Sequence, residues 1–276
     1  MTTEHPDAAL AGEHSLAETL RAARDEYRAE IRLARGGAQA AENYSRRIDR
    51  LVMRIYAEAS SQAGTPVALL AIGGYGRRHL CLHSDIDLMI LFGGPIAAAE
   101  ERFVKALLHP LWDLGFDVGH QVRQLSEFSQ AETDNPEFLV AVGDSRFLTG
   151  DAGVFERFDT LVHGPESVWR QPTVEALFGL VAERHRHFNA TIYQIEPDVK
   201  EAPGALRDVA AIRTFVALTQ PGTTRSVPAT SGRLVEALDE AEEFFLRLRS
   251  LLHLENRRNL NVLSHDDQEA VAERFG

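Results

Sequence analysis

Two aspartates, Asp85 and Asp87, lie on either side of Ile86 at the start of the apolar run DLMILF. Side chains two positions apart in a strand point to the same face, so these two carboxylates should lie side by side. Two carboxylates in a partly buried site repel each other unless a proton or a cation lies between them. Mg²⁺ binds one or two carboxylates and completes its shell with water and substrate phosphate. The pair therefore predicts a Mg²⁺ site in which Asp85 and Asp87 are the metal ligands; Mn²⁺ is an expected substitute.

A pair of glycines precedes the aspartates. Gly73 and Gly74 follow the apolar run PVALLAI (66–72), and backbone without Cβ atoms can approach a triphosphate closely and offer its N–H groups. Ser84 adds a hydroxyl, and Arg77 adds a fixed positive charge for phosphates. A D-x-D pair alone is usually a surface feature, and Gly-Gly after a strand is usually only a turn. The combination favours a phosphate–metal site, in which two ions about 3.5–4 Å apart would hold the attacking and leaving oxygens.

Two further regions contain charged candidates. On a third strand, Arg123 would either pair with phosphate or stabilise the sheet. In the loop EPDVKEAPGALRD (196–208), Lys200 and Arg207 would reach the phosphates or the base of a nucleotide, with Asp208 orienting Arg207. The alternative for this loop is a capped connection between helices, and both interpretations stay open.

The elements that must position these residues follow from hydrophobic periodicity. Apolar runs predict strands, and helical spacing predicts helices on both sides of them. The predicted strands are 66–72, 87–92 and 116–125, and the predicted helices are 97–112, one beginning at Ser126, one within 132–150, and 167–195, 205–219 and 232–258. The domain prediction is a disordered tail (1–13), an amino-terminal helical segment (14–64) broken at Gly36 and Gly37, a central domain (65–163) and a helical domain (164–276) truncated at its carboxyl end.

Composition restricts the class of protein. The 276 residues have a formal net charge of −12, which argues against a protein whose main role is to bind nucleic acid, because phosphate neutralisation needs clustered Lys and Arg. The one cysteine, Cys81, excludes an internal disulfide and favours a reducing compartment. The first residues lack the apolar segment of a signal peptide, and no apolar stretch reaches the ~18 residues of a membrane span. We therefore expect a cytoplasmic protein with no membrane or nucleic-acid partner.

The segment GGYGRRHLCLHSDIDL (73–88) resembles the signature of the DNA polymerase β-like nucleotidyltransferase superfamily. More closely, it is similar to the family that uridylylates the nitrogen-regulatory protein PII, whose usual form is close to GGYGRGELxPxSDIDLLIL. Four further blocks match that family in order, from LWDLGFDVGHQVRQL (111–125) and DSRFLTGD (144–151) to IEPDVKEAPGALRDVAAI (195–212) and the last 31 residues (246–276). The likeness therefore extends from about residue 48 to the end.

This resemblance implies an α/β (α+β) fold with a small mixed sheet, flanking helices and a C-terminal helical domain. It implies UTP as the donor, a tyrosine hydroxyl of PII as the acceptor, and pyrophosphate as the leaving group. Superfamily enzymes commonly take a third carboxylate from the third strand as metal ligand or base, for which Asp117 is the first candidate and Asp144 the second. Full-length relatives also have a uridylyl-removing hydrolase domain, for which 276 residues leave no room.

Two departures from the family pattern bear on activity. The family's Gly-Glu after the arginine is Arg78-His79 here, and its KEGPGGLRD has Ala202 and Ala205 in place of two glycines. Loss of glycines is expected to alter loop geometry. Two alternative functions stay open at this point: a transferase of the same superfamily that uses ATP on another protein or a small molecule, and a catalytically weak nucleotide-binding module that regulates a partner.

Overall fold

The structure, a computed structural model, describes residues 15–33, 36–219 and 232–275. Within these ranges it has four strands: β1 (Val67–Ala71), β2 (Ile86–Phe92), β3 (Val118–Gln124) and β4 (Arg146–Gly150). The α-helices in the same ranges are α1 (Leu16–Arg32), α2 (Ala38–Ala59), α3 (Gly73–Gly76), α4 (Ala98–Asp113), α5 (Pro136–Gly143), α6 (Ala152–His163), α7 (Arg170–His187), α8 (Leu206–Thr219), α9 (Gly232–Asn256) and α10 (His265–Phe275). The predicted disordered tail lies outside the described residues.

The strands form one mixed sheet in the order β3-β2-β1-β4. Strand β1 is antiparallel to both of its neighbours, whereas β2 and β3 are parallel and are connected through α4. A parallel pair needs a crossover of this kind, because a tight hairpin can join only antiparallel strands. The parallel register places Asp87 beside Gly119.

Helices cover both faces of the sheet, which is why β1 is an unbroken run of five buried residues. One face, with Leu69 and Ile90, packs in a hydrophobic cluster with residues of α2 and α4, among them Ile48 and Phe103. The other face, with Leu70 and Met89, packs with Phe138 of α5, Phe158 of α6 and Trp169. Side chains on β2 are therefore buried with one exception, Asp87, which is only half-buried.

The carboxyl-terminal helices pack against the rest of the chain. Leu248, Leu251 and Leu252 of α9 belong to the same hydrophobic cluster as the first face of the sheet and as Tyr27 of α1. The mixed α/β architecture is confirmed. The division at residue 164 into a separate helical domain stays a prediction. Helix α9, which lies beyond that boundary, shares a hydrophobic core with the amino-terminal helices. Among the described helices, none combines the length and hydrophobicity that a membrane span requires.

The structure corrects three details of the sequence prediction. A fourth strand, β4, lies in the stretch 144–151, which periodicity had left unassigned because this strand is only partly buried. The helix expected from Ser126 is a short 3₁₀ segment, Leu125–Ser129. The Gly-Gly turn is the beginning of α3, a single helical turn. The predicted break at Gly36 and Gly37 is confirmed between α1 and α2.

Arg78 follows α3 in a left-handed backbone conformation, with φ of 64°. This conformation costs an L-residue about 1–2 kcal/mol, whereas glycine adopts it freely. The family that this segment resembles has glycine at this position, and glycine is the residue that this backbone conformation favours. Ala202 and Ala205 have no positive φ, so these two replacements need no unusual backbone conformation.

We expect Arg78→Gly to be more stable than Arg78→Ala by about 1 kcal/mol, because both variants lose the ion pair with Glu42 but only glycine relieves the left-handed backbone. The midpoint of urea unfolding measures the difference. Ala202→Gly serves as the contrasting control, since glycine brings no backbone relief there and should lower stability. An Arg78→Ala variant as stable as Arg78→Gly would contradict this account.

Candidate active site

Asp87 projects from β2 between two glycines. A Cβ built on Gly119, its partner on β3, would collide with Asp87 Oδ1. A Cβ on Gly73, at the start of α3, would lie 3.7 Å from Asp87 Oδ2. The carboxylate thus lies against two positions, one on each neighbouring element, that have no side chain. Sequence reasoning named Gly73 but missed Gly119, because only the strand register shows which residue lies beside Asp87.

The environment of Asp87 disfavours its negative charge. Burial raises the pKa of this carboxyl above its usual value, and the adjacent charge of Asp85 raises it further. The positive charges of Lys200, Arg207 and Arg77 act in the opposite direction and lower the same pKa. The predicted carboxylate pair is therefore close enough to interact, and three of the predicted phosphate-binding cations lie within electrostatic range of it.

Helix α3 presents the glycine pair to this site. Gly73 has φ of 57°, which only glycine adopts without strain, and it lets the chain turn from β1 directly into the helix. Nothing lies within 4 Å of a Cβ built on Gly74, so the space over this residue is open. Open space beside backbone without side chains is what a closely approaching phosphate group needs.

An ion pair fixes the far end of α3. Arg146 of β4 binds both carboxylate oxygens of Asp49 on α2, at 2.9 and 3.0 Å. The same guanidinium donates to the carbonyls of Gly76 (3.1 Å) and Tyr75 (3.2 Å) at the end of the short helix. Asp49 is buried, so this pair is a rigid support for the glycine turn.

The loop that precedes α8 supplies the other cations. Lys200 is half-buried, and Glu201 pairs with both Lys200 (3.7 Å) and the exposed Arg207 (2.8 Å). Burial lowers the pKa of Lys200, and the neighbouring charges of Arg249 and Arg207 lower it further. The charges of Glu201 and then Asp85 act on the same amine in the opposite direction, so Lys200 lies within electrostatic range of the carboxylate pair.

The proposed role of Asp208 was wrong. Its carboxylate binds Arg184 (2.5 Å) and His185 (2.9 Å) of α7 and accepts from the backbone N–H of Gly204 (2.6 Å), so it does not orient Arg207. Spacing along α8 could not show this, because the partners come from a different helix. Asp208 instead fixes the turn at Gly204, which has φ of 82°.

Two other predicted residues, Ser84 and Asp117, have defined places. Ser84 Oγ accepts from the backbone N–H of Cys81 at 2.9 Å, which closes the loop before Asp85. Asp117 precedes β3 and is exposed, and its carbonyl accepts from Ile86 N at 2.9 Å. Within the described residues, no three His, Cys, Asp or Glu side chains are grouped as metal ligands, so Asp117 does not join the pair here and its catalytic role stays a prediction.

Arg123 has protein partners. Its guanidinium pairs with Glu127 (3.2 Å) and Glu132 (3.0 Å) and lies 4.4 Å from the centroid of the Phe138 ring. These contacts favour its sheet-stabilising role over phosphate binding. Arg77 pairs with Asp144, the second candidate for the third carboxylate, so that carboxylate already has a partner.

A cavity of about 740 Å³ lies at the other end of α3 from the carboxylate pair. Arg77, Arg78, His79 and Asp144 line it, together with Arg213 and Glu242 from the carboxyl-terminal helices. His79, which replaces the family's glutamate, lies 3.5 Å from Glu242, and burial lowers its pKa to about 3, so the ring is neutral at pH 7. Arg77 is the residue shared by this cavity and the electrostatic environment of Asp87.

Comparison with known proteins gives a consistent result. The family model described as GlnD PII-uridylyltransferase matches residues 174–276. The bifunctional uridylyltransferase/uridylyl-removing enzyme of Methylococcus capsulatus is 33% identical over 236 residues, which cover 83% of this chain and 27% of the relative. The enzyme of the same name from Pasteurella multocida is 31% identical over 230 residues (82% and 26%), and that of Bordetella avium is 35% identical over 215 residues (75% and 24%). The chain thus spans about a quarter of the length of these relatives.

The raised pKa of Asp87 predicts how stability responds to its removal. A carboxyl whose pKa is higher in the folded than in the unfolded state stabilises the fold when protonated, and that contribution is lost as the pH rises through the folded-state pKa. Asp87→Asn should therefore melt at the wild-type temperature or up to about 3 °C higher at pH 7. This advantage should disappear as the pH falls towards about 4, where aspartate becomes protonated.

Thermal unfolding at several pH values measures this effect without any ligand. Asp113→Asn, at an exposed position at the end of α4, is the matched control and should show no comparable trend. An Asp87→Asn protein that melts well below wild type at pH 7 would instead identify the carboxylate as a structural hydrogen-bond acceptor.

Proposed function

Since the chain belongs to the PII-uridylyltransferase family, we propose that it is a Mg²⁺-dependent nucleotidyltransferase that transfers UMP from UTP to a tyrosine hydroxyl of PII. The observation that supports this most directly is the carboxylate pair at the start of a buried strand, within electrostatic range of the cations Lys200 and Arg207. A metal-bound triphosphate requires carboxylates that bind the metal ion and cations that neutralise the phosphates. UTP and PII enter this proposal through the names of the family and of its relatives.

The triphosphate would lie over Gly74 and towards the loop with Lys200. The open space above Gly74 admits phosphate oxygens next to the backbone, and no side chain has to move. Lys200 and Arg207 would neutralise the phosphate charge from the opposite side, and Arg77 would add to it if it exchanged Asp144 for a phosphate. Glu201 pairs with both loop cations and so keeps them close together.

The two carboxylates fit a magnesium ion. Both ligands are oxygen atoms, and Mg²⁺ characteristically uses one or two protein carboxylates and takes its other ligands from water and phosphate. Burial, and after it the charge of Asp85, raises the pKa of Asp87, so a bound cation would favour the ionised form of this carboxyl. When bound, the ion would supply positive charge to the reacting phosphate oxygens.

The reaction is an in-line displacement at phosphorus. The tyrosine oxygen of the acceptor forms a bond to the α-phosphorus of UTP, and the bond from that phosphorus to the bridging oxygen of the β-phosphate breaks. Pyrophosphate leaves, and the phenolic proton is released to a base, for which exposed Asp117 on the same side of the sheet is the predicted residue. The chain contributes mainly by holding the reactants in line and by placing charge, which is the main requirement of phosphoryl-group chemistry.

Transfer of radiolabel to purified PII from each of the four α-labelled nucleoside triphosphates tests the proposal. We expect label transfer from UTP that requires a divalent ion, and a rise in melting temperature with UTP only when the ion is present. The double variant Asp85→Asn/Asp87→Asn should lose transfer by about three or more orders of magnitude and should also lose the ion-dependent stabilisation. Label transfer from ATP would indicate a different donor, and transfer by the double variant would place the chemistry elsewhere.

The glycine beside Asp87 provides a second test. Gly119→Ala would push the carboxylate out of its position, since the added methyl group collides with Oδ1. We expect transfer to fall about 10²-fold, as for a displacement of roughly 1 Å in a reacting group. Gly179→Ala, in α7 with nothing within 4 Å of the added Cβ, is the control and should keep full activity. Equal activity in the two variants would show that the position of Asp87 is not critical.

A further inference from the structure

Helix α9 contains a buried cation without a counter-ion. Arg249 is 5% exposed, and among the residues that the structure describes no carboxylate lies within ion-pair distance of it. Its guanidinium contacts are neutral: Asn261 Oδ1 at 2.7 Å, Asn259 Oδ1 at 3.4 Å and Cys81 Sγ at 3.8 Å. Burying an unpaired charge is expensive, so its retention needs a reason other than stability.

One side of Arg249 supports the loop that precedes the carboxylate pair. Its contact there is Cys81, whose backbone N–H and carbonyl both bind Ser84, at 2.9 and 3.0 Å. A second residue of α9 supports the same loop, since His253 Nδ1 accepts from the backbone N–H of His83 at 3.3 Å. Burial lowers the pKa of His253 to about 3, so the ring is neutral and can accept. Helix α9 therefore fixes the four residues before Asp85.

The other side of Arg249 supports the loop with Lys200. Arg249 holds the side chain of Asn261, and the backbone carbonyl of Asn261 accepts from Val199 N at 2.8 Å. The next backbone bond, from Leu263 N to the carbonyl of Pro197, is 2.9 Å long and continues the pairing of the two segments. Lys200 is the next residue after Val199, so Arg249 positions the backbone beside Lys200 through Asn261.

We infer that Arg249 is a positioning residue of the nucleotide site, which sets the spacing between the loop before Asp85 and the loop with Lys200 and adds its own positive charge behind them. This inference rests on the proposed function. The guanidinium is suited to the task because its planar fork donates in several fixed directions at once, towards both loops. The bound triphosphate would supply the negative charge that the protein does not place near Arg249.

Two substitutions separate charge from geometry. Arg249→Met removes both, so the KM for UTP should rise about 10-fold or more and kcat should fall as well. Arg249→Lys keeps the charge but lacks the fork, so KM should stay within about threefold of wild type whereas kcat falls about 10-fold. Arg247→Met is the matched control on the same helix, where the guanidinium contacts the carboxyl-terminal Phe275 ring at 4.2 Å and neither loop. It should leave both constants unchanged.

The measurements are UTP binding by calorimetry in the presence of Mg²⁺, steady-state kinetics with PII, and melting temperatures without ligand. Wild-type protein that neither binds UTP nor transfers would refute the proposed function itself. Wild-type activity together with wild-type constants in both Arg249 variants would overturn only the positioning role. That role would equally be overturned if both variants failed to fold, because Arg249 would then be a residue of the core. We expect Arg249→Lys to keep a KM for UTP close to that of the wild type but to have a lower kcat.

Discussion

The ion pair between Asp49 and Arg146 determines how the glycine turn lies against the sheet. Because Arg146 binds both oxygens of Asp49 and two carbonyls at the end of α3, one guanidinium joins α2, β4 and the turn. Breaking a buried pair of this kind leaves an uncompensated charge, typically at a cost of about 3–5 kcal/mol. Arg146 consequently holds the carboxyl end of the turn, and the space over Gly74 stays open for a ligand.

Periodicity was sufficient to predict the strands that matter for the site. The apolar runs before Gly73 and after Asp87 are continuous, buried on both faces and bounded by glycines, which is typical of buried strands. The pairing of Asp85 with Asp87 follows from the two-residue repeat of a strand. Strand β4 escaped prediction because its burial is only partial and its five residues alternate weakly.

Contacts between distant segments could not be predicted in the same way. Gly119 lies beside Asp87 only because β2 and β3 are parallel in one particular register. Asp208 binds Arg184 and His185 of another helix rather than Arg207, its neighbour in sequence. In each case local spacing identifies residues that are able to interact, whereas the packing of whole elements decides which of them meet.

The position of α9 limits how far the loops of the candidate site can move apart. Its buried leucines, Leu248, Leu251 and Leu252, share one hydrophobic cluster with α1 and α2, while Arg249 and His253 on the same helix hold the loop before the carboxylates. A hinge rotation of this helix would expose that cluster to water and dismantle the site in the same movement. Under the proposed function, a nucleotide would therefore enter and leave an essentially rigid frame, in which the exposed side chain of Arg207 is the part of the site best able to move aside.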